Sequence, residues 1–195
     1  MKALLSLSRL IDGMTDRLGR LVYWLVLAAA LVSCANAVVR YVLNTSSNAW
    51  LELQWYLFSA VFLLCAGYAL LHNAHVRIDV ISSRLSKRTV IWIDILGTVF
   101  FLFPMAVLIL WLSWPVFVNA YVHDEMSSNA GGLKVWPARL LMPVGFFFLI
   151  LQGVSELIKR VAFLMGLIPD PTETHEISAE EQLAQDLLKE RGELA

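Results

Sequence analysis

The sequence predicts an all-α integral membrane protein: four transmembrane helices, both termini on the cytoplasmic side (N-in/C-in), and an N-terminal amphipathic helix. Three observations predict it. Of 195 residues, 58% are hydrophobic and only 16% are charged, with a mean hydropathy of +0.67; a soluble domain carries about a quarter charged residues. The apolar residues are gathered into long blocks rather than spread along the chain. Most Lys and Arg residues also fall on one side of those blocks. The formal net charge of −1 gives no sign of a nucleic-acid partner. Cys34 and Cys65 both lie inside apolar blocks, where a thiol acts as a small hydrophobe rather than part of a disulfide framework.

Residues 1–20 form the first segment. Leu4, Leu7, Leu10, Ile11, Met14 and Leu18 recur at three- and four-residue spacing, with Arg9, Asp12, Asp16 and Arg17 on other faces. Two readings fit: a cytoplasmic helix lying in the membrane interface, or a longer, partly exposed first helix. The four-helix membrane domain follows over residues 21–168, with spans at about 21–43, 51–72, 92–122 and 138–160. "LVSC" at Cys34 and "ANA" at Ala37 resemble processing sites, but the long mixed-charge leader and the apolar run beyond both argue for an intact first span. Pro104 and Pro115 fall within the third block and predict a kinked or tilted helix. Trp24, Trp50, Trp55, Trp92 and Trp136 sit near block ends, where amphipathic rings favour the interface. Pro169 and Pro171 then stop the chain leaving span four, and residues 169–195 read as an acidic cytoplasmic tail.

Orientation follows from the cations. Lys2, Arg9, Arg17 and Arg20, then Arg77, Arg84, Lys87 and Arg88, then Lys159, Arg160, Lys189 and Arg191 share one side. The other side holds only Arg40, Lys134 and Arg139 of the 15, which places both termini in the cytoplasm and residues 44–49 and 123–139 outside.

No catalytic motif is present: no phosphate-binding glycine loop, no "HExxH" and no "GxSxG". The polar stretch "HNAHVRIDVISSRL" between spans two and three puts His72, His75 and Asp79 at i, i+3 and i+7, a spacing that would serve a metal-binding protein or metalloenzyme but lacks a fourth ligand. The competing reading is a helix end at the interface, with Arg77 and Asp79 pairing where the chain turns. Asn36, Arg40, Glu52, Gln54, Asp94, Asn119, Gln152 and Glu156 lie within or beside spans, most of them near ends where they can snorkel. Arg40 closes span one and Glu52 opens span two, across a short loop. The broken, repeated helices of a self-sufficient transporter are missing, which favours a scaffold or auxiliary subunit.

"WLELQWYLF", then "AGYALLHNAHVRIDV", then "SSNAGGLKVWPARLLMPVGFFFLILQGVSELIKR" together resemble the small membrane subunit (DctQ-type) of tripartite ATP-independent periplasmic (TRAP) transporters. In this resemblance Trp50 and Glu52 match an outer element and His75, Arg77 and Asp79 an inner one. Ser127, Ser128 and Asn129 match a polar outer loop, and Trp136 the start of span four. That loop resembles a subclass associated with mannitol-, chloroaromatic- or keto-acid-type substrates. The resemblance implies a non-catalytic subunit of the bacterial inner membrane without a cofactor of its own. Its implied partners are a large membrane subunit, which moves substrate and sodium, and a periplasmic solute-binding protein; membrane lipid surrounds it. The stretch after His72 is then a cytoplasmic junction touching lipid head groups or the large subunit.

Overall fold

The computed structural model describes residues 1–45, 47–74 and 85–168. Their helices are α1 (Lys2–Val42), α2 (Asn48–Leu71), α3 (Lys87–Gly97), α4 (Phe103–Val122) and α5 (Trp136–Leu164), with a π-helical turn, Thr98–Leu102, joining α3 to α4. Counting α3 through α4 as one, four helices are long and apolar enough to cross a membrane. A short antiparallel bridge, Met126 to Lys134, lies in the loop before α5.

Each long helix stops at a residue in the left-handed conformation. Asn44, Asn73 and Asp124 sit at φ of 48–49°, and Gly166 at 70°. Asn, Asp and Gly tolerate that region best, so the polar residue after each apolar block is what lets the chain turn. After α2 the turn is closed by Asn73 N–H to Leu70 O and Ala74 N–H to Ala69 O, at 3.3 and 2.9 Å. The same pair of bonds recurs after α4 and α5.

The third span bends its hydrogen-bond ladder before Pro104. A proline there can neither donate to Phe100 nor fit against its carbonyl. The ladder widens instead: Phe103 N–H bonds Thr98 O, five residues back. The proline is thus absorbed by a π turn while the helix continues.

α5 is the axis of the bundle, packing against α1, α2, α3 and α4; α1 also packs along α2. Close approach is made by small residues. A methyl group on Gly145 would come within 2.8 Å of the Leu63 carbonyl oxygen, so α2 and α5 touch backbone to backbone there. On α1 the buried residues are Ser8, Ile11, Thr15, Gly19, Val22 and Ala29, close to a seven-residue period.

That row decides which face of the N-terminal segment packs. Among residues 1–20 the face turned to the bundle is the small, polar one, while Leu4, Leu7, Leu10 and Met14 are exposed. Serine, threonine and glycine win the packing face because they admit a neighbouring backbone and offer hydroxyls to a polar partner. α1 also continues through residue 20 as one helix of 41 residues, about 61 Å at 1.5 Å per residue. This is the longer of the two first-helix readings.

Candidate functional site

Two polar knots hold the helices, one at each end of the bundle. The first centres on Glu52, in the second turn of α2, whose side chain is almost wholly buried at 1% exposure. The loop between α4 and α5 folds over it. Ser127 N–H bonds Leu133 O at 2.9 Å and Gly132 N–H bonds Asn129 O at 3.0 Å, closing a tight turn that needs Gly131 at φ 70°. This turn aims three donors at one carboxylate: Ser127 Oγ, Asn129 Nδ2 at 2.9 Å and Leu133 N–H at 2.6 Å. Gly132 leaves the room, since a methyl there would lie 2.7 Å from Glu52 Oε1.

The rest of the loop is fastened beside it. Tyr56 Oη donates to Lys134 O at 3.0 Å and Asn48 Nδ2 to Ala130 O at 2.9 Å. Arg139 forks onto Glu125, with Nη2 to Oε1 at 2.7 Å, a bidentate geometry that fixes orientation as well as charge. Lys134 pairs with Asp124 at 2.7 Å. Trp136 meets Tyr121 edge to face at 5.5 Å between centroids, stitching the start of α5 to the end of α4. A buried anion with three donors is satisfied and geometrically specific, so this site holds the loop in place.

Of the residues singled out in sequence, Ser127 and Asn129 therefore both meet Glu52 directly. Ser128 is exposed, and its neighbour Ser127 makes the contact. Trp50 is 44% exposed on the first turn of α2. Arg40 lies exposed in the last turn of α1, and among the described residues it forms no ion pair with Glu52.

The second knot joins α1, α3 and α5. Ser155 Oγ donates to Asp12 Oδ1 at 2.6 Å, leaving it to accept from Ser8 Oγ at 2.7 Å. Gln152 Nε2 donates to the same Asp12 oxygen at 2.9 Å. Lys159 Nζ bridges Asp12 at 3.2 Å and Glu156 at 2.5 Å. Arg160 then links Glu156, at 2.9 Å, to Asp94 on α3, at 3.3 Å. Acid and base alternate along this chain, so each buried charge has a neighbour of opposite sign. Among the described residues, Gln152 Oε1 is a buried acceptor without a partner.

This corrects the expectation that polar residues near span ends snorkel. Gln152 and Glu156 point inward, at 0% and 4% exposure, because α1 presents a carboxylate and hydroxyls to them. Ser8, Asp12, Ser155 and Lys159 were missed as a group. The available signal was the small-residue row on α1 facing Gln152, Ser155 and Lys159, which share one side of α5.

His72 lies at the same end. Its ring stacks on Tyr68 at 4.0 Å and its Nδ1 lies 3.1 Å from Tyr68 O. Tyr23 Oη donates to Tyr68 Oη at 3.0 Å, tying α1 to α2. His75, Arg77 and Asp79 lie outside the described residues. Among the described residues no group of three or more His, Cys, Asp or Glu is placed to hold a metal.

A family model described as "Tripartite ATP-independent periplasmic transporters, DctQ component" matches residues 29–163. The chain belongs to the DctQ family. Direct comparison with curated proteins gives no match. It is thus a TRAP transporter small membrane component, and the family is a transporter component rather than an enzyme class. The match takes in Glu52 and the whole loop that covers it. The DctQ-matched range starts partway along α1, so the second knot ties matched α5 to an N-terminal half-helix outside that range.

Proposed function

We propose that this DctQ-family chain is the non-catalytic scaffold of a sodium-coupled TRAP importer for an organic acid or related solute. It works with a large membrane subunit that carries substrate and sodium, and with a periplasmic binding protein that delivers the substrate. It sits in a bacterial inner membrane with both termini in the cytoplasm, its outer surface met by lipid and by the large subunit. The Glu52 loop then faces the periplasm, and the Asp12–Glu156–Arg160 knot lies at the cytoplasmic side.

The observation that carries this reading is the pair of knots at opposite ends of the bundle. A stator must keep its shape while its partner moves, and buried charged networks resist separation of the helices that share them. An open apolar pocket of about 660 Å³ between α4 and α5 is walled by groups such as Trp111, Trp114, Pro115, Pro143 and Phe147. Such walls suit lipid or a partner's apolar surface rather than the passage of a charged solute.

Co-expression with the large subunit from a neighbouring gene and affinity purification should yield a stable complex. Liposomes holding both membrane subunits and the binding protein should show sodium-dependent uptake. Clean separation of the two membrane subunits in mild detergent, or full uptake by this chain alone, would refute the scaffold role. Reporter fusions at each end test the orientation independently.

A further inference from the structure

The N-terminal half of α1 has two faces. Ser8, Ile11, Thr15 and Gly19 are buried against the bundle. Turned away from it, Leu7, Leu10 and Met14 are 45%, 62% and 45% exposed. Arg17, Leu21 and Trp24, all exposed, continue the same three-then-four spacing into the apolar span. The stripe is therefore continuous with the membrane-facing side of the helix.

Charge on this half-helix is lopsided. Both of its acids are already engaged: Asp12 by Lys159 at 3.2 Å and Asp16 by Arg20 at 2.8 Å. Lys2, Arg9 and Arg17 are exposed and pair with no carboxylate among the described residues; Arg9 donates only to the carbonyl of Leu5, at 3.4 Å. With Asp12 held in the second knot and Asp16 held by Arg20, three cations are left beside an exposed apolar stripe.

We infer that this face is a binding surface for anionic phospholipid. The leucines and Met14 enter the boundary between head groups and acyl chains, while Lys2, Arg9 and Arg17 meet lipid phosphates. Arg17, set within the stripe just before the uncharged block, reaches the head-group level by extending along it. A second apolar helix on this face would have to supply three acids to cover the same cations. The inference deepens the lipid contact of the proposed function, and rests on its orientation only for which leaflet supplies the lipid.

The test uses the full chain in nanodiscs of mixed phosphatidylcholine and phosphatidylglycerol, with retained lipid counted by native mass spectrometry after transfer to detergent. The parent should keep phosphatidylglycerol in preference to phosphatidylcholine, and added salt should weaken that preference. The triple variant Lys2→Gln, Arg9→Gln, Arg17→Gln should lose it, by up to about fivefold per cation. Arg40→Gln, at the far end of α1, should leave it unchanged. An undiminished preference in the triple variant overturns the inference. So does a preference that emerges only when residues 169–195, which hold half of the 16 acids, are removed; the tail is then the occupant. Both leaflets of the disc carry the anionic lipid, so an error in orientation cannot produce either result.

Discussion

Replacing Glu52 tests the first knot most directly. The carboxylate is 1% exposed and receives Ser127 Oγ, Asn129 Nδ2 and Leu133 N–H. Glu52→Ala removes one acceptor group and strands three donors together. Hydrogen bonds to a charged group contribute about 1.5–3 kcal/mol each. The Ser127 and Asn129 side chains can turn to water, but the Leu133 N–H is held by the backbone and cannot. The net cost should be about 2–4 kcal/mol, about 1–3 of it for the stranded Leu133 donor and the rest for the hydrogen bonds that Ser127 and Asn129 lose. Glu52→Gln keeps an oxygen for Leu133, and its amide can donate to Ser127 and to a flipped Asn129, so it should cost only about 1–2 kcal/mol. Unfolding in mixed micelles measures both, and co-purification with the large subunit shows whether the loop is also needed for assembly. Equal stability of parent and Glu52→Ala would mean that the loop contributes nothing to the fold. Equal losses for Ala and Gln would mean that charge alone matters and the donor geometry does not.

Gly132→Ala should reproduce much of the Glu52→Ala defect, because the new methyl meets Ser127 Cβ at 2.6 Å and that carboxylate at 2.7 Å; an unfolding curve matching the parent's would show that the loop shifts to admit it. Gly145→Ala should destabilise by about 1–3 kcal/mol, since the Leu63 backbone oxygen 2.8 Å away cannot turn aside. Unchanged unfolding would place the α2–α5 crossing elsewhere. In the second knot, Lys159→Met should be more harmful than Lys159→Met with Asp12→Asn, because the single change leaves two acids sharing a buried site; a double-mutant cycle should give a coupling of about 0.5–3 kcal/mol, and strict additivity rejects the bridge. Asp79→Ala should weaken assembly with the large subunit while leaving substrate capture by the periplasmic protein intact. If Arg77→Ala harms membrane anchoring and Asp79→Ala does little, that stretch serves lipid alone.

The sequence by itself determined the four apolar helices and their order. Apolar block length reports directly on the cost of leaving backbone groups in lipid, and Asn44, Asn73, Asp124 and Gly166 mark the stops through backbone sterics, which are local. It also singled out Glu52, because a charge at a span border is unusual whatever surrounds it, while Ser127 and Asn129 came forward only through the family resemblance of their loop. What only the tertiary structure decided is who meets whom. Nothing near Glu52 in the chain announces that Ser127 and Leu133, more than seventy residues away, supply its donors. Likewise, the leucine face of residues 1–20 is the most hydrophobic one, yet the face of Ser8, Thr15 and Gly19 is buried. In water the leucines would have been driven inward; beside lipid that drive is absent, and close backbone approach with hydrogen bonds to Ser155 and Gln152 selects the face instead.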